Sequence, residues 1–116
     1  TTLALSLDLS ERLEAKGIQT NVIHFNMVRP FDSDCLSRVT KEYDLIVTVE
    51  EHGLCGGFGS TVVECMADSG DANLPGIIRM GIPDEFLHDI GSQSYLRARC
   101  GLDVESMMDR ILKRLK

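Results

Sequence analysis

The residues able to do chemistry crowd into one stretch, VTVEEHGLCGGFGS at 47–60. Two adjacent carboxylates, Glu50 and Glu51, precede an imidazole, His52. Four glycines (Gly53, Gly56, Gly57 and Gly59) then fall within seven residues, with a thiol at Cys55 and a hydroxyl at Ser60. Three chemistries fit these types. A carboxylate pair with an imidazole suits acid–base work. A glycine-rich turn opening a helix suits an anion, through backbone N–H groups and the positive helix end. The same glycines suit a hinge in which a helix start lies close against a strand.

Each reading has a physical test. Neighbouring residues on a regular strand point to opposite faces, so Glu50 and Glu51 do not form a dyad. One of them is placed to cap the glycine-rich helix start, where a carboxylate is favoured by about 0.3–1 kcal/mol; the other faces a partner. His52 has the side chain that titrates nearest neutrality, yet a lone loop histidine is commonly just solvated. CGGFGS is neither GxGxxG nor GxxxxGK[ST], and two glutamates stand where a phosphate would approach. The hinge reading is favoured, with Glu50, Glu51, His52, Gly56, Gly57, Gly59 and Ser60 as candidate interface or anion-binding residues and none as catalytic, cofactor-binding or metal-binding.

Elsewhere the chemistry is sparse. His24 in an alternating run reads as a partly buried structural residue, and His88 beside Asp84 and Asp89 as surface. GFGST lacks the G-x-S-x-G frame of a nucleophile elbow. Cys55, ahead of a helix start, is the one thiol with a route to a lowered pKa, and no base pairs with it. The four cysteines, at 35, 55, 65 and 100, form no CxxC pair and have no histidine at zinc-finger spacing. They read as reduced thiols, mostly buried as small apolar residues.

The elements that must position the 47–60 stretch follow from periodicity. Residues 2–16 favour helix, stopped by Gly17. Residues 20–28 (TNVIHFNMV) alternate and predict a strand, broken by Pro30. Asp32 is an N-cap for a helix over 33–43. The nearly continuous β-branched run 44–50 predicts a buried parallel strand. A helix over 57–68, a strand over 76–80, a helical turn at 83–89, a helix over 92–100 and a final helix capped by Asp103 complete the order α-β-α-β-α-β-α-α. That alternation predicts an α/β three-layer sandwich, a mainly parallel sheet with helices on both faces. The opening helix, where such domains open on a strand, implies that a first strand is missing.

The 116 residues suffice for one domain with a modest core. Hydrophobic residues at 43% and charged residues at 26% are ordinary globular composition. A net charge of −6 argues against a nucleic-acid partner. No apolar run approaches the roughly 20 residues that cross a bilayer, and the first residues lack a signal-peptide pattern. The expectation is a cytoplasmic protein with no membrane contact.

The combination RPFD at 29–32, VTVEEHGLCGGFGS at 47–60, GIPDEF at 81–86 and CGLD at 100–103 resembles the C-terminal domain of transketolase-type thiamine diphosphate enzymes. Within that family it is most similar to 1-deoxy-D-xylulose-5-phosphate synthases and to transketolase C-terminal sections; the 2-oxo-acid dehydrogenase beta subunit is a more distant cousin. The resemblance covers nearly the whole chain, and its most specific block is the one from VTVEE to GGFGS. It implies a single domain over 1–116, transketolase C-terminal-type, without its first strand and without the diphosphate- and pyrimidine-binding domains. Thiamine diphosphate and Mg would belong to the parent enzyme, a transferase, with none expected on this chain alone. No position here matches the activating glutamate or the GDG-type magnesium and diphosphate motif. The implied partners are those two domains, on the same chain or a separate subunit, in a homodimer. The implied role is support of dimer and interdomain packing, with the isolated chain inactive. Two rival readings stay open: a non-catalytic assembly or regulatory module that binds an anion or partner at the glycine-rich helix start, and the C-terminal domain of a 2-oxo-acid dehydrogenase beta subunit.

Overall fold

A computed structural model describes residues 2–83 and 90–116. In chain order the elements are α1 (Thr2–Glu14), α2 (Ser33–Glu42), β1 (Leu45–Gly53), α3 (Phe58–Asp68), β2 (Gly76–Ile82), α4 (Gln93–Arg99) and α5 (Val104–Leu115). They fall into two compact units, one from 25–84 and one from 1–24 with 85–116.

The unit at 25–84 carries the sheet. The β-branched run at the start of β1 pairs in parallel with β2, Leu45 opposite Gly76 through Val49 opposite Met80. The connection between them is α3, the crossover helix that parallel neighbours require. Gly59, Val62 and Met66 recur at helical spacing and form the buried face of α3. That helix packs on both strands, and α2 packs on α3. The core joins Leu36 of α2 to Val62 and Met66, with Phe31, Ile46, Phe58, Cys65 and Ile77 around them. Phe25 stacks on Phe31 at 4.9 Å between ring centroids and tilts against Phe58 at 5.6 Å. Asp32 caps α2, accepting from the Cys35 N–H at 3.0 Å.

In the other unit α1 packs against α5. Leu9 and Leu13, four apart, form the buried stripe of α1; Met107, Met108 and Ile111 form that of α5. Gly17 and Gly101, at φ +81° and +71°, follow α1 and α4 in the left-handed conformation that ends helices. Asp103 caps α5, accepting from the Ser106 N–H at 2.9 Å and its hydroxyl at 2.6 Å.

The architecture is mixed α/β with a parallel strand pair, as the alternation predicts, and one predicted strand is absent. Residues 20–28 form neither strand nor helix. The alternation there marks no buried face: Ile23, Met27 and Val28 are exposed, and Phe25 gives its ring to the Phe31–Phe58 cluster instead of to a ladder. A strand persists only where a neighbour takes its backbone hydrogen bonds, and the described residues supply none. His24 is accordingly exposed, where the alternating pattern predicted a partly buried residue. The cysteines also depart from expectation. All four are free, but Cys35, Cys65 and Cys100 are half-buried and Cys55 is exposed. The helical turn expected at 83–89, with His88, lies outside the described residues except for Pro83.

Candidate functional site

The site grows from the C-terminal end of β1. Thr48 and Glu50, two apart, share one face of the strand, and both are buried. That face lies under the start of α3. The Glu50 side chain, only 4% exposed, meets the first turn of the helix. Its Oε2 accepts the Phe58 N–H at 2.6 Å and its Oε1 accepts the Gly59 N–H at 2.9 Å. These are two of the amide groups that a helix start leaves without intrahelical partners. Gly57, the N-cap residue, has no side chain to serve them. A carboxylate from the preceding strand does so instead, at the end of the helix dipole that favours negative charge.

The glycines make this possible. A Cβ on Gly57 would land on Glu50 Oε2 and lie 2.7 Å from the Gly53 carbonyl. On Gly59 it would lie 2.8 Å from Thr48 Oγ1 and 2.9 Å from Glu50 Oε1. On Gly81 it would lie 2.9 Å from Leu54 Cδ2 and 3.1 Å from Glu50 Cγ. Three glycines thus surround one buried acid. Gly56 differs: nothing crowds it, and its φ of +77° is what the turn requires. The Thr48 hydroxyl is buried against this seat with no hydrogen-bond partner among the described residues.

A second polar centre holds the loop at 54–57. The Ser60 hydroxyl donates to the Leu54 carbonyl at 2.8 Å and accepts the Gly56 N–H at 3.1 Å. Arg79, from β2, donates through Nη1 to the same carbonyl at 2.8 Å and to Ser60 Oγ at 3.0 Å. The Leu54 N–H donates to the Ile82 carbonyl at 3.0 Å.

The structure therefore brings Glu50, Gly57 and Gly59 into one contact set, and Gly56 and Ser60 into an adjoining one. Glu51 is half-buried on β1, and His52 is exposed; both lie within the register irregularity between Val49 and Gly53. His52 and Glu50 do not meet as an acid–base pair within these hydrogen bonds. Arg79 was not singled out from the sequence. Its signal was there: a cation inside the apolar run GIIRM needs partners if the strand is buried. Among the described residues no group of histidines, cysteines and carboxylates has the arrangement of a metal site.

A parallel strand pair, a crossover helix with a glycine-rich start, and an internal carboxylate filling that start define a domain of the α/β class. The comparisons with known proteins narrow the class. The chain belongs to the transketolase C-terminal domain family, which it matches over residues 1–107. It is 34% identical over 111 residues to the 1-deoxy-D-xylulose-5-phosphate synthase of Dehalococcoides mccartyi, covering 96% of this chain and 17% of that protein. It is 37% identical over 111 residues to the enzyme of the same name from Bacillus velezensis, again 96% and 17%. With the Thermomicrobium roseum enzyme identity is 41% over 100 residues, 86% of this chain and 15% of that one. A solved structure described as a split gene transketolase, inactive beta4 tetramer, superposes with a TM-score of 0.79 at 25% identity, over 97% of this chain and 34% of its own. The chain thus spans about a sixth of the length of these curated relatives.

Proposed function

We propose that residues 1–116 act as the C-terminal domain of a thiamine diphosphate-dependent enzyme of the 1-deoxy-D-xylulose-5-phosphate synthase branch. The domain supports the dimer and the packing of the diphosphate- and pyrimidine-binding domains, on the same chain or a separate subunit, in the cytoplasm. Thiamine diphosphate and Mg belong to those other domains. When bound there, the cofactor supplies the electron sink for two-carbon chemistry. The observation that carries this reading is the match along nearly all of this chain to a small part of much longer synthases.

The geometry adds support. The amides at the start of α3 that an external anion would use are held by Glu50. This favours a helix-docking and interface role for Glu50, Glu51, His52, Gly56, Gly57, Gly59 and Ser60 over a regulatory anion site. The test is an assay of the 116-residue chain with thiamine diphosphate, Mg, a 2-oxo acid and an aldose phosphate. No 1-deoxy-D-xylulose 5-phosphate forms on this reading; turnover by the chain alone overturns it.

A further inference from the structure

We draw no further inference here: the strongest candidate, the buried Thr48 hydroxyl that finds no hydrogen-bond partner among the described residues beside the glycine-rich start of α3, belongs to the site already described, where Glu50 holds the Phe58 and Gly59 amides.

Discussion

Replacing Glu50 by glutamine isolates the internal cap with little change of shape. Glutamine keeps one carbonyl oxygen and replaces the other oxygen with an NH2 group. Whichever way it turns, one of the two amides, Phe58 or Gly59, meets a donor instead of an acceptor. The other keeps a neutral bond in place of a charge-assisted one. Hydrogen bonds to charged groups contribute about 1.5–3 kcal/mol, and a buried donor left unsatisfied costs about 1–3 kcal/mol. The side chain is 4% exposed, so water cannot readily repair the loss. The net expectation is a destabilisation of about 2–4 kcal/mol. Domains of this size lose roughly 3–6 °C of Tm per kcal/mol, which gives a fall of roughly 6–24 °C. Urea denaturation of the parent chain and of Glu50→Gln at neutral pH, with the m-value checked for equality, reads the difference directly. Loss should appear as a lower midpoint at constant m. If Glu50→Gln unfolds within about 0.5 kcal/mol of the parent, the usual scatter of surface substitutions, the carboxylate does not hold the start of α3 and the reasoning is wrong.

Other perturbations probe neighbouring parts. Gly59→Ala should destabilise by about 1–3 kcal/mol through overpacking against Thr48, Glu50 and Arg79, although alanine at an open helical position would stabilise by up to about 1 kcal/mol; the sign of the change, from thermal melts, decides between them. Met66→Ala empties a buried side chain from the Leu36–Val62 cluster and should cost about 2–5 kcal/mol in denaturant titration. Asp103→Ala removes the cap of α5 and should cost about 1 kcal/mol at neutral pH. The Ser106 hydroxyl and amide, the hydroxyl foremost, hold the Asp103 carboxyl below the usual aspartate range. Its stabilising contribution is therefore present above the unfolded value of about 3.9 and is lost as pH falls through the depressed folded value. The stability gap between parent and Asp103→Ala should close only in that acid window; a gap that closes near neutrality contradicts the assignment.

Much of this arrangement was legible in the sequence because it rests on local rules. Asp32 and Asp103 announced their helices by standing before them as caps, and Gly17 announced the stop of α1. The β-branched run of β1 read as a parallel strand because such strands are apolar on both faces. The segment at 20–28 misled for a physical reason. Alternation records which residues are greasy, not whether a neighbouring strand is there to take the backbone, and Phe25 found its partners in Phe31 and Phe58. At the candidate site, period two separates Glu50 from Glu51 without the structure, and the adjacent glycine-rich helix start offers amides to a carboxylate. Which glutamate fills the seat is set by register: Glu50 shares the face of buried Thr48. The run GIIRM signalled that Arg79 needs partners, but which partners it has, and the role of Gly81, were out of reach, because their contacts with Ser60 and Glu50 join residues about 20–30 positions apart and depend on the pairing of β1 with β2.

The central claim is that the glycine-rich start of α3 is built to receive Glu50 from within the chain and not an anion from solution. Titration of the 116-residue chain with inorganic phosphate, followed by the backbone amide shifts of Phe58 and Gly59, tests it most directly. The account predicts that both resonances stay in place at millimolar phosphate, at constant ionic strength. Saturable shifts centred on those two amides would mean that the seat opens to an external ligand, and would contradict it.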